Sequence, residues 1–189
     1  METIEQKQET LLGKKVMLLP FAEYDMGNFI RLHRADKQNN MGRFCLKDYN
    51  DEQSLIYIAG LLNSAEVFIW TVYTKDEDPI FAGFVYLTNV SNYMCSLHGI
   101  MDKDFAKYYS EDRSLAEDAA RTLIQHCFDK GVNRIETDVC ESNKLALRLD
   151  KKLGFVKEGV LRNHVIKDKG FENLVILSIL KEEWKNGKE

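Results

Sequence analysis

The sequence predicts an α/β fold (mixed α+β) in which a central mixed sheet is flanked by about four helices. Three observations carry this. Residues 67–73, 80–87 and 93–101 are β-rich runs separated by Pro79 and by the polar residues around 89–92, which reads as an antiparallel meander. A long amphipathic stripe and a short β-run, residues 134–140, then make a strand–helix–strand crossover, for which a right-handed connection between parallel strands is expected. Two further β-runs, 155–167 and 171–180, close the chain around the turn Asp168, Lys169, Gly170.

The elements follow in order. Residues 15–19 read as a first strand closed by Pro20. Met26, Phe29, Ile30 and His33 recur at helical spacing. Asn50 is an N-cap with Gln53 three residues on, and the helix it opens is expected to bury Leu55, Ile58, Ala59 and Leu62. Leu115, Ala119, Leu123, Ile124 and Phe128 lie on one stripe that Gly131 stops. Ser142 or Asn143 starts another helix, with the stripe Leu145, Leu149 and Leu153 and a stop at Gly154. Residues 1–10 and 185–189 are expected to fray.

The 189 residues predict one domain, 1–189, large enough for a core without staples. Charged residues at 30% and hydrophobic residues at 44% exclude a wholly disordered chain. A net charge of −4 disfavours bulk nucleic-acid binding. No apolar run reaches the ~18–20 residues that cross a bilayer, so no membrane partner is expected. The start of the chain has no apolar h-region. Cys45, Cys95, Cys127 and Cys140 are scattered, as are His33, His98, His126 and His164, so neither a disulfide framework nor a metal site is expected. A reducing, cytoplasmic setting follows as the expectation.

At Asn143, then Lys152, Gly154 and Phe155, the chain resembles the GCN5-related N-acetyltransferase (GNAT) superfamily, whose late motif is an Asn opening a helix that ends in a K-x-G-F turn. Glu158, Gly159 and Arg162, then Gly170, Phe171 and Trp184, are similar to the branch that acetylates ribosomal-protein N-termini, spermidine and related amines. The opening run from Gly13 to Phe21 is similar to the first strand of that branch. The resemblance implies a GNAT-like sheet that splays between 93–101 and 134–140. It implies acetyl-CoA in that fork as co-substrate, and an acceptor that is a small-molecule amine or a protein N-terminus. It further implies pantetheine amides along the first of those strands at Ile100 and Met101, and Asn143, Arg148 and Lys151 on the late helix as further contacts. Late strands of the family pair across dimers, so a homodimer is an expectation.

The chain departs from the family at the pyrophosphate loop, [Q/R]-x-x-G-x-[G/A]. The corresponding residues are Glu111, Asp112, Arg113, Ser114, Leu115 and Ala116, of which only Ala116 fits the pattern. Phosphate contacts are expected from Arg113 and from the backbone at Ser114, Leu115 and Ala116, where a helix N-terminus offers N–H donors. Ser114 and Glu117 also spell a capping box that would occupy two of those donors. Residues 102–118 carry six acids against three bases, whereas 143–169 carry eight bases against three acids. Phosphate contact can therefore shift toward Arg113 and the late helix. Asp150 stands where many members carry a Tyr leaving-group acid, and an aspartate is ionised near neutral pH unless buried. His98 alternates with Met94, Ser96 and Ile100 on one strand face and is the candidate base. The alternative to an acetyltransferase is a catalytically silent GNAT-fold binding or assembly module that has lost coenzyme A.

Overall fold

The computed structural model describes residues 8–35, 49–102, 114–167 and 170–186. Their strands are β1 (Leu11–Leu12), β2 (Val16–Pro20), β3 (Phe68–Thr74), β4 (Phe81–Thr88), β5 (Met94–Met101), β6 (Arg134–Cys140), β7 (Val156–Lys167) and β8 (Gly170–Leu180). Their helices are α1 (Met26–Ala35), α2 (Asp51–Leu62), α3 (Ser114–Asp129), α4 (Lys144–Leu153) and α5 (Lys181–Asn186). The strands form one sheet in the order β1-β2-β3-β4-β5-β6-β8-β7. All neighbours run antiparallel except β5 and β6, which are parallel.

Helices cover both faces of the sheet and divide the core. On one face Leu18, Trp70, Leu87, Cys95 and Ile135 pack with α3 through Leu123, Ile124 and Phe128. On the other, Ile69, Phe84 and Tyr86 pack with Phe29 and Leu32 of α1 and Ile58 of α2. Phe29 is fully buried and meets Phe84 edge-on at 5.2 Å. Burying such a ring stabilises the fold by about 2–3 kcal/mol. Sheet strands alternate between these faces because successive side chains point opposite ways.

Several expectations need correction. The short strand β1 was not foreseen, since two residues carry no periodicity, but it pairs with β2. Residues 8–10 are tied down: Trp70 Nε1 donates to the Glu9 carbonyl (3.0 Å) and Gln8 Nε2 to the Ile69 carbonyl (2.8 Å). Residues 185–186 continue α5 rather than fraying. Asn50 and Gln53 form the expected reciprocal cap of α2, but that helix buries Ser54 and Ile58 and leaves Leu55, Ala59 and Leu62 exposed. Five helices stand among the described residues, α5 having been read as a short terminal segment.

Candidate active site

The sheet forks in the middle. β5 and β6 pair only at Met94–Arg134, Cys95–Ile135 and Ser96–Glu136. Beyond these, β5 follows β4 as far as Met101, while β6 follows β8 as far as Cys140. Each strand keeps an outer partner, so the sheet's twist separates the two inner edges. Among the described strands, the β6-facing edge of β5 has no pairing with β6 beyond Ser96. A cavity of about 460 Å³ fills the fork, a volume in the range of small-molecule sites.

Seven elements wall the cavity, among them β4 through Val85 and Tyr86 and the β7–β8 hairpin through His164 and Ile176. β5 contributes His98, Gly99 and Met101, and β6 contributes Thr137, Asp138 and Cys140. The start of α3 contributes Ala116 and Ala120. The inward face of α4 is Ala146, Leu149, Asp150 and Leu153, at spacings of three and four. The expected stripe shifts accordingly, because Leu145 is 58% exposed. Asp150 thus interrupts an otherwise apolar helical face. Its Oδ2 is sealed from solvent and makes no hydrogen bond among the described residues. Burial pushes its carboxyl up to about 7, because a low-dielectric surrounding disfavours the charged form.

The β6–α4 turn places Asn143. Its N–H donates to the Cys140 carbonyl (2.8 Å) and its Oδ1 accepts the Ala146 N–H (3.2 Å), capping α4. Asn143 is buried and lines the cavity. Gly154 ends α4 at φ +96°, as the K-x-G-F turn requires. His98 also lies on the wall, stacked on its cross-strand neighbour Tyr86 at 5.4 Å, with Nε2 and Thr88 Oγ1 hydrogen-bonded at 3.2 Å.

The other expected contacts divide. Met101 and Ala116 line the cavity. Ile100 sends its side chain into the cluster around Phe29, and Leu115 into the main core, so only their backbones can face a ligand in the fork. Arg148 and Lys151 are exposed on α4 away from the cavity. Arg113, Glu111 and Asp112 lie outside the described residues, as does Cys45.

Around the end of β5 and the start of α3, pairing softens the acidic surplus. Asp118 Oδ2 accepts the Lys15 N–H (2.7 Å) and the Val16 N–H (3.2 Å). Asp102 is bound by Arg31 (2.6 Å). Glu117 does not turn back to Ser114. It pairs with Lys152 and with Arg121 (2.9 Å), which hold its carboxyl below the usual range. The reciprocal half of the capping box is therefore not made. Ser114 Oγ instead accepts from Lys15 Nζ (2.7 Å). Sequence reasoning missed Asp138 and His164, which the cavity brings together from β6 and β7, and Lys15, which reaches Ser114 across 99 residues of chain, because these meetings come from tertiary packing and not from local pattern.

The family model described as acetyltransferase (GNAT) domain matches residues 15–156. Among curated protein sequences, none matches this chain. Among solved structures, a probable GNAT-family acetyltransferase from Chromobacterium violaceum is similar, with a TM-score of 0.77 and 18% identity, over 98% of this chain and 92% of that one. The spermidine/spermine N-acetyltransferase SpeG from Vibrio cholerae has a TM-score of 0.75 and 17% identity, over 92% and 98%. RimL, a ribosomal alpha-N-protein acetyltransferase in complex with coenzyme A, has a TM-score of 0.74 and 10% identity, over 91% and 98%. The fork, the asparagine-capped helix and the domain match covering most of its length together make this chain a member of the GNAT acetyltransferase family.

Proposed function

We propose that the protein is an acetyl-CoA-dependent N-acetyltransferase whose acceptor is a primary amine: a protein N-terminus, a polyamine or another small amine. The single observation behind this reading is the open fork between β5 and β6, with its cavity of about 460 Å³. A strand edge that parts from its neighbour along an apolar slot suits a slim arm carrying amides. Acetyl-CoA would supply the activated acetyl group.

The chain's own groups have distinct tasks. The inner backbone of β5 at Ile100 and Met101 would pair with the arm's amides, and an inner N–H would hold the oxyanion formed on attack. Backbone N–H groups at Ser114, Leu115 and Ala116, with Arg113, Arg148 and Lys151, would meet the phosphates. Asn143 keeps α4 capped beside the arm. Asp150 would be the acid that protonates the departing thiolate. Burial answers the objection to an aspartate in that role, since a carboxyl titrating at about 7 is substantially protonated at neutral pH. An imidazole on the wall would take the amine's proton, and His98 is the one the strand pattern singles out. The free thiols of Cys95, Cys127 and Cys140 suit a cytoplasmic setting. The exposed edge strand β7 is the surface suited to a homodimer.

Calorimetry with coenzyme A and mass spectrometry of acetylated amine test this reading. Micromolar binding together with an acetylated product is expected. Absence of heat at millimolar coenzyme A would overturn it and leave the silent binding module.

A further inference from the structure

The fork cavity is closed on one side by the β7–β8 hairpin, through Leu161, His164 and Val165. The hairpin ladder is broken at that point. Leu161 pairs with Leu174 and Val165 with Glu172, so residues 162–164 stand opposite the single Asn173. Extra residues in one strand bend it and re-aim the side chains it carries. Asn163, at the centre, has φ +51°, a conformation that residues other than glycine seldom take, Asn being among the more tolerant.

The excursion is braced. Asn163 N–H donates to Asn173 Oδ1 (3.0 Å), and Asn173 Nδ2 donates to Glu141 Oε2 (2.9 Å). The Glu141 N–H donates in turn to the Asn173 carbonyl (3.0 Å). Residue 164 is therefore positioned relative to the end of β6, which is itself a wall of the fork.

The two imidazoles on the cavity differ in their engagement. His98 is half-buried, stacked on Tyr86 and bonded to Thr88. His164 is exposed and makes no hydrogen bond, ion pair or ring contact among the described residues. A general base must give its proton back to water in every cycle, which an exposed ring does readily. Imidazoles as a class change charge between pH 5 and 8.

We propose that His164 is the group that accepts the proton of the attacking amine. This rests on the acetyl-transfer reading above. In the step, the amine nitrogen bonds to the thioester carbonyl carbon and its proton passes to an imidazole nitrogen of His164. The C–S bond breaks, and the thiolate takes a proton from Asp150. The imidazolium then releases its proton to water, and Asp150 is reprotonated from water. The titratable groups sharing the cavity are Tyr86 on β4, His98 on β5, Asp138 and Cys140 on β6, and Asp150 on α4. Glu172 of β8 pairs with Lys167 of β7 beside it (3.3 Å), and Arg162 shares the excursion.

The test is kcat/KM against pH with acetyl-CoA, using spermidine and a peptide with a free amino-terminal serine as acceptors, with calorimetric coenzyme A affinity measured alongside. His164→Gln should lower kcat/KM about 100-fold and abolish the acidic limb, with coenzyme A affinity unchanged. His98→Gln should lower turnover yet keep that limb. Asn163→Gly, which tolerates the positive φ, should retain turnover, whereas Asn173→Ala, which removes the brace, should lower kcat/KM about fivefold or more with the limb intact. Retention of the acidic limb in His164→Gln, or its loss in His98→Gln alone, would overturn the assignment. A wild-type protein that binds coenzyme A yet acetylates neither acceptor would remove the reading beneath it instead.

Discussion

Lys15 Nζ donates to Ser114 Oγ across 2.7 Å, joining the approach to β2 to the first turn of α3. The two residues are 99 apart in sequence. In the sequence, Ser114 is the residue aligned with the key glycine of the family pattern, and the acids Glu111 and Asp112 precede it. An ammonium here adds positive charge beside a helix N-terminus that already favours anions. Lys15→Gln should therefore weaken coenzyme A binding about three- to tenfold at low salt, roughly 0.7–1.4 kcal/mol. The difference should narrow at about 0.5 M salt, where exposed charges are screened. An unchanged Kd in calorimetry at both salt concentrations would put the phosphates elsewhere.

Asp150 couples stability to pH. Its carboxyl is raised from 3.8 to about 7 by burial. Between those values the unfolded chain has released the proton while the folded chain still holds it, so stability falls as pH rises through the window. The loss levels off above about 7, at no more than about 4 kcal/mol. Asp150→Asn removes the titration. It should be more stable than the wild type at pH 8, with the gap closing toward pH 4, as read by thermal melts. In kinetics, kcat should fall about 10- to 100-fold and the basic limb near neutrality should vanish. A wild-type melt flat from pH 4 to 8 would contradict the raised carboxyl.

Much of the architecture was legible because it rests on local signals. Asn50 with Gln53, the stripe of α3, Gly131 and Gly154 each announce a helix end or face through short-range chemistry, and each behaves accordingly. Leu55, Leu62 and Leu145 misled because periodicity says that a helix has an apolar side, not how wide the groove beneath it is. The site was half legible. Asn143, Ala116 and Asp150 follow from motif position and His98 from strand alternation, and the cavity gathers them. The protonation of Asp150 was not readable, since it depends on how completely α4, β6 and the hairpin exclude water. Lys15 and His164 reach the site through pairings between distant segments, and Glu117 is diverted by Lys152 from a different helix.

Asn143 carries two jobs that one substitution confounds. Its Oδ1 caps α4 through the Ala146 N–H, and its buried side chain also faces the cavity. Asn143→Ala should cost about 1 kcal/mol in denaturant unfolding through the lost cap. Asn143→Asp keeps the capping oxygen and should leave stability within about 0.5 kcal/mol of wild type. The same aspartate loses the amide donor and adds negative charge, so coenzyme A binding should weaken in both variants. Equal affinities for the wild type and Asn143→Asp would confine this residue to the cap.

Gly154 closes the helix that presents Asp150. At φ +96° it lies in the left-handed region, and its N–H donates to the Lys151 carbonyl (3.2 Å) while the next N–H, of Phe155, reaches the Asp150 carbonyl (3.0 Å). A Cβ here would come within 3.3 Å of Ile179 Cδ1, close enough that the isoleucine must give way. Gly154→Ala combines that contact with the left-handed penalty and should cost about 1–2 kcal/mol in denaturant unfolding. Gly154→Asn should cost less than Ala despite its larger side chain, because Asn tolerates the conformation. The order of the two variants separates the causes: Asn above Ala in stability assigns the cost to the backbone, and Ala above Asn assigns it to crowding against Ile179. Wild-type stability in Gly154→Ala would mean that the turn re-forms without the left-handed residue.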